Sequence, residues 1–403
     1  MKTDHWDSER LNQYQLQQCK ELLIFAGKHS PYYQEVFART GFSPENFESL
    51  EQLKQLPILE KKALITDNSQ IHTKFDFGRK LQNCSTSGSS GSVLRFGRNE
   101  EWDSKNRAAQ LRGYAWHGIK PWSKNGYLWG YNIEKGKRTK VKLIDFVLNR
   151  FRIFTYEESE IRSFAKKLKH AKFLEGYSSM IYEVAKRVNE LDLGKDIKLL
   201  MVKGTSEKIY ESYQSEVIKA FGKRMISEYG AAETGIIAFE CPHGQMHINT
   251  EGVVVEVEDG EIVVTNILSY SFPIIRYRLG DGITLAPADY QCLCGRQHPV
   301  ITDVQGRIGK LIQGRSGTYP SLTLYYIFKN IDQNHGIELN YQAHQTEKGK
   351  LLFKIEQEDE GHKALIDVEV VKYFGYDIEY QIVFGQTLHT MNGKLKDFVT
   401  TVD

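Results

Sequence analysis

Long apolar stretches are missing from this chain: no uninterrupted run in its 403 residues approaches the ~20 needed to cross a bilayer, which excludes a membrane-spanning helix. The opening Met1–Glu9 is polar and mixed in charge, without an apolar signal core, so a cytoplasmic location is expected. A surplus of one charge is missing as well. Lysine and arginine number 53 against 51 aspartate and glutamate, a formal net charge of +2, and basic residues gather only in short mixtures such as Lys135 to Lys142. No global field is there to hold a polyanion, so nucleic acid is not expected as a partner. Cysteine is scarce: five in a chain this long do not make a disulfide framework, and metal binding or plain packing accounts for them better. No internal repeat is visible. The length suffices for two or three domains with ample interior.

Apolar residues recur at helical spacing from Ser8 to Phe37, with a turn at Ser30-Pro31, and Leu59-Glu60-Lys61-Lys62 opens another short helix. Glu100 to Trp116 reads as a helix and Gly126 to Gly130 as a strand between glycines. Alternation follows: helix Glu157 to Leu168, the run Phe173 to Ser178, helix Met180 to Leu191, strand Lys198 to Val202, helix Lys208 to Phe221, strand Arg224 to Tyr229. Such βαβ-like order predicts a mostly parallel sheet with helices on its faces and ligands at the carboxyl ends of its strands. After Glu240 short β-rich runs take over (Val253 to Val257, Glu261 to Asn266, Ile274 to Arg278), read as a small subdomain over about 240–305. Amphipathic Ser321 to Ile331, strand Leu351 to Glu356 and helix His362 to Phe374 predict a separate small α+β domain over 308–403.

One loop stands out. In Cys84-Ser85-Thr86-Ser87-Gly88-Ser89-Ser90-Gly91-Ser92, eight of nine side chains are hydroxyls or bare hydrogens, a composition that suits phosphate oxygens but also a flexible linker. The P-loop motif does not fit, because Ser92-Val93 rather than Lys-Ser/Thr follows the second glycine. Three further stretches come in order after it: SEYGAAETG at 227–235, RYRLGD at 276–281 and GR at 306–307, with Gly393-Lys394 near the carboxyl end.

Together these motifs resemble the acyl-adenylate-forming superfamily of acyl-CoA synthetases, peptide-synthetase adenylation domains and luciferases. AGKHSPYYQEVF, LEQLKQLPILEKKAL, ECPHGQMHI and CLCGR are similar to the phenylacetate–CoA ligase branch and its capsular-polysaccharide-associated relatives, so the likeness covers nearly the whole chain. It implies an α/β fold: a large multi-sheet N-terminal domain over 1–307 with a β-rich subdomain, then a small mobile α+β C-terminal domain. It also implies ATP-dependent activation of a carboxylic acid to an acyl-adenylate, with transfer to a thiol, coenzyme A leading. A carrier-protein thiol, an amine, a sugar, and a catalytically silent nucleotide-binding relative stay open, as does a homodimer.

By the same resemblance Ser85, Thr86, Ser87, Gly88, Ser89, Ser90 and Gly91 clamp the phosphates of ATP. Gly204, Thr205, Ser206 and Glu207 wall the adenine pocket, Tyr229, Gly230 and Ala231 flank the base, and Glu233 holds Mg²⁺. Asp281 reaches the ribose, Arg307 the ribose or phosphate, and Lys394 is the cation brought in for adenylation. Read alone, Glu233 could be a helix-start carboxylate, Gly204 to Glu207 a helix cap, Asp281 a turn residue, and Arg307 and Lys394 solvated side chains. Val93-Leu94, Ala232 and Gly309-Lys310 depart from the family pattern. Tyr127, Trp129, Tyr131 and Tyr177 are candidates to line an aryl-acid pocket, with ordinary core as the alternative. Cys241, His247, Cys292 and Cys294 could close a structural Zn²⁺ site if the β-rich run is a meander; His243 and His298 are rival imidazoles, and metal-free buried thiols the alternative.

Overall fold

The computed structural model describes residues 3–86, 93–129, 135–206, 209, 211–305, 311–337, 339–388, 390–391, 394–395 and 398–402. Two compact units divide the chain: Met1–Cys84 with Arg95–Arg307, and Ser85–Leu94 with Ile308–Asp403.

In the first unit, Asp7 caps helix Ser8–His29 by accepting from the Arg10 N–H at 2.8 Å. Its buried stripe is Leu11, Gln15, Cys19, Leu22, Leu23 and Ala26. Ser30 breaks the pattern and Pro31 starts helix Pro31–Thr40, where its missing N–H costs nothing. β1 (Gln82–Ser85) and β2 (Arg95–Arg98) form a two-stranded sheet.

Eleven strands make the main sheet: β3 (Asn125–Leu128), β4 (Arg150–Phe151), β5 (Phe173–Tyr177), β6 (Met201–Thr205), β7 (Met225–Ala231), β8 (Gly235–Glu240), β9 (Met246–Ile248), β10 (Val253–Glu258), β11 (Glu261–Asn266), β12 (Ile274–Leu285) and β13 (Val300–Gln305). Their order is β10-β11-β12-β13-β9-β8-β7-β6-β5-β3-β4. Strands β3 to β7 pair in parallel, joined by helices such as Glu158–Leu168, Ser178–Glu190 and Glu211–Phe221. From β7 onward the pairing is antiparallel. The β-rich run therefore continues the parallel sheet through the β7–β8 hairpin.

The two largest differences in strand boundaries from the sequence reading both fall at sequence motifs. The strand expected over 198–202 lies at 201–205, because Leu200 faces solvent and the apolar run reads alike in either frame. Strand β12 runs on to Leu285 and carries Gly280-Asp281 inside the sheet. Arg276 ties β12 to the N-terminal segment, donating to Leu56 O at 2.7 Å and pairing with Glu256 and Glu258. Helix Lys135–Val147, read from sequence only as a short basic mixture, packs beside β4.

The second unit holds β14 (Leu311–Gln313) paired with β15 (Thr318–Pro320), and a four-stranded sheet of β16 (Tyr341–Gln345), β17 (Lys350–Ile355), β18 (Glu379–Val383) and β21 (Phe398–Thr400). A short pair is made by β19 (Thr390–Met391) and β20 (Lys394–Leu395). Helices Leu322–His335 and Lys363–Phe374 supply its core, in which Phe328 stacks on Tyr341 at 3.8 Å between ring centroids.

Candidate functional site

The β7–β8 hairpin is tight enough that only glycine fits at 230, where a Cβ would meet the Gly235 carbonyl oxygen at 2.3 Å. This places Tyr229 near the end of β7, its hydroxyl donating to Asp281 Oδ2 on β12 at 2.8 Å. Asp281 is therefore a buried strand residue rather than a turn aspartate.

Glu233 sits in the turn between β7 and β8, so no helix start accounts for it. Its side chain is buried, with Oε1 accepting from the Tyr277 hydroxyl at 3.1 Å and its carbonyl oxygen accepting from Asn266 Nδ2 at 3.3 Å. Arg98 donates to the neighbouring Ala232 carbonyl. Sequence reasoning missed Arg98, Asn266 and Tyr277 as supports of this turn. The RYRLGD stretch held a signal, since Tyr277 and Asp281 both lie in it, four residues apart along β12.

At the carboxyl end of β6, Gly204 allows close packing, since a Cβ there would lie 2.5 Å from Ser178 Oγ. Thr205 Oγ1 is 3.4 Å from Glu228 Oε1, and Ser206 adopts φ 67, a left-handed conformation that costs a non-glycine residue about 1–3 kcal/mol. Glu207 lies outside the described residues. So do Ser87, Gly88, Ser89, Ser90, Gly91, Tyr131 and Arg307. Ser85 ends β1, and Thr86 meets Leu94 by two bonds, N–H to carbonyl at 2.9 Å and Leu94 N–H to Oγ1 at 3.0 Å. Lys394 pairs with Met391 through the backbone in β20; its side chain lies outside the described ones.

Tyr127, Trp129 and Tyr177 come together: Trp129 stacks on Tyr177 at 4.3 Å, and Tyr127 lies 6.4 Å from Trp129. The register Tyr127↔Glu175↔Lys203 extends this face into a polar row across β3, β5 and β6. Lys203, 1% exposed, pairs with Glu175 at 3.2 Å and Glu228 at 2.9 Å, while Tyr114, Asn125 and Gln110 donate to the same two carboxylates. Burial disfavours the ammonium, yet Glu228 and Glu175 outweigh it and hold the Lys203 pKa above its ordinary value. These charges were visible as Lys and Glu inside apolar strands, and sequence reasoning passed over them. Lys203→Met would leave two buried carboxylates uncompensated, and urea unfolding should show a loss of about 3–5 kcal/mol. A loss near zero would mean that water enters and solvates them.

Ligating atoms of Cys241, His247, Cys292 and Cys294 all lie within 4.8 Å of one another. Cys241 Sγ is 3.8 Å from Cys292 Sγ, and Cys294 Sγ is 3.2 Å from His247 Nε2. Pairing of β13 with β9 and of β9 with β8 brings these distant residues to one end of the sheet. His247 Nδ1 donates to the His298 carbonyl at 3.0 Å, which fixes the tautomer and turns the Nε2 lone pair toward the thiols. Burial lowers the His247 pKa to about 4, so the ring is neutral, as a metal ligand must be. The His298 ring binds Glu251 instead, at 3.1 Å. Three sulfurs and one imidazole nitrogen are the donor set of a closed tetrahedral zinc site.

No family model matches the chain. Protein CapK of Staphylococcus aureus is 23% identical over 320 residues, covering 76% of this chain and 70% of that protein. Indoleacetate–lysine synthetase of Pseudomonas savastanoi is 32% identical over 100 residues, 23% of this chain and 25% of its own. The crystal structure of 2-hydroxyisobutyryl-CoA ligase with 2-HIB-AMP and CoA, in the thioesterification state, superposes with a TM-score of 0.67 at 17% identity, over 99% of this chain and 91% of that one. The same ligase in its postadenylation state, with R3-HIB-AMP, gives 0.64 at 16% identity over the same shares.

Proposed function

We propose that this chain, whose fold is that of the acyl-adenylate-forming ligases, activates a carboxylic acid with ATP and passes the acyl group to a thiol, with coenzyme A as the leading acceptor. The observation that carries the reading is the buried pair of carboxylates, Asp281 held by Tyr229 and Glu233 held by Tyr277, on neighbouring motifs of one sheet. Carboxylates are the acceptors that ribose hydroxyls and a phosphate-bound cation require, and these two lie on the motifs that the resemblance assigns to those roles.

In the reaction, an oxygen of the acid attacks the α-phosphorus of ATP, the bond to the β-phosphate oxygen breaks, and pyrophosphate leaves. Asp281 would accept from ribose hydroxyls, with Tyr229 fixing its orientation. Gly204, Thr205 and Ser206 would border the adenine where β6 ends. Bound Mg²⁺ would neutralise charge on the triphosphate, and Glu233 is the carboxylate that would hold it. Ser85 to Gly91, Arg307 and Lys394 keep the phosphate, ribose and catalytic assignments that the resemblance gives them. The Trp129–Tyr177 stack favours a flat, aryl acid in the phenylacetate–CoA ligase manner. We assign Cys241, His247, Cys292 and Cys294 to a structural zinc that pins the β8–β9–β13 end of the sheet. Four protein ligands leave no position open for water or substrate.

A screen of acids by ATP–pyrophosphate exchange, with and without coenzyme A, tests the reading. Exchange with at least one acid is expected, and thioester should form only with the thiol present. Glu233→Gln should lower exchange about 10²–10³-fold with the fold intact, since the amide oxygen can still accept from Tyr277. No exchange with any acid would sink the enzyme reading and favour a silent nucleotide-binding relative.

A further inference from the structure

Helix Lys135–Val147 shows solvent a face that a freely soluble protein has no use for. Phe146 is 82% exposed, Val147 67% and Leu143 64%, at the i, i+3, i+4 spacing of one helical stripe, with Ile144 and Leu148 beside them. The turn bearing Trp122, itself 73% exposed, is tied to the end of this helix by the Asn149 Nδ2 bond to the Trp122 carbonyl at 2.7 Å. The opposite side of the helix is anchored. Asp145 is buried there between Arg150 at 2.7 Å and Arg152 at 2.6 Å, while Arg138 lies over the Phe154 ring at 5.0 Å.

We propose that this face docks the protein on an anionic phospholipid surface. Charge decides between occupants. Lys140 is exposed beside the apolar stripe, Lys142 is exposed but reaches back over the Phe154 ring at 5.7 Å, and the one carboxylate between Arg138 and Leu148 is Asp145, which points inward to its arginines. A second copy of the chain laid helix to helix on this face would bring lysine against lysine, with Asp145 turned inward to its arginines. Anionic headgroups accept the lysines, the acyl boundary takes Leu143, Phe146 and Val147, and Trp122 suits the interface between them. The helix would lie in the plane of the surface; no described helix is long and apolar enough to cross a membrane. Its residues are distinct from those assigned to ATP and acid, so the docking stands apart from the proposed reaction.

The test is sedimentation of the full chain with vesicles of phosphatidylcholine alone or mixed with phosphatidylglycerol. Binding is expected with the mixed vesicles, weak with phosphatidylcholine, and reversed by high salt. Leu143→Glu with Phe146→Glu should lower the bound fraction about tenfold or more, and Lys140→Gln about fivefold, with thermal unfolding unchanged because these side chains already face water. Absence of sedimentation with anionic vesicles, or equal binding by the Leu143/Phe146 variant, would overturn the proposal. A dimer in light scattering that the same variant dissociates would assign the face to a second copy instead.

Discussion

Replacing Lys394 with alanine is expected to slow ATP–pyrophosphate exchange by about 10³–10⁵-fold while ATP still binds, as titration calorimetry would show. The magnitude is that of a single cation placed on a phosphoryl group whose charge grows in the transition state. Binding should persist because the groups proposed to hold the nucleotide, Asp281 with Tyr229 and Glu233 with Tyr277, belong to the large sheet and do not depend on β20. Transfer from a supplied acyl-adenylate to the thiol should change far less, since no phosphoryl charge develops in that step. An unaltered exchange rate would show that this lysine is solvated and misassigned.

The parts of the fold legible in the sequence included several of its helices. Glu100–Trp116 is helical over the residues expected, and helices Glu158–Leu168 and Lys363–Phe374 differ by a residue at their starts. Continuity between the parallel strands and the β-rich run was not legible, because edge-to-edge pairing of β7 with β8 leaves no mark in either strand's own pattern. The shift of β6 to 201–205 has a similar cause: a fully apolar run has no alternation to set its frame. Motif residues were assigned by resemblance, whereas Tyr277, Asn266, Arg98 and the Lys203 network act by contact across 25 or more residues of chain. Only a known register brings such partners together.

The metal prediction has its effect on stability. Protein purified without added metal should contain about one zinc per chain, and Cys292→Ser should lose it together with about 5–10 °C of thermal stability. The size follows from what the four residues join. Cys241 follows β8, His247 lies in β9, and Cys292 and Cys294 precede β13, so one ion would cross-link the end of β8, β9 and the segment leading into β13. Without metal, burial pushes the Cys292 thiol up to about 12 and raises Cys241 as well. Zinc must then displace protons from these thiols, so its hold should weaken as the pH falls and the thiolates are recaptured by protons. Mg²⁺ should not substitute, because a hard cation prefers oxygen ligands to thiolates. Metal-free protein of undiminished stability would mean that these are plain buried thiols, and that the antiparallel strands alone hold this end of the sheet.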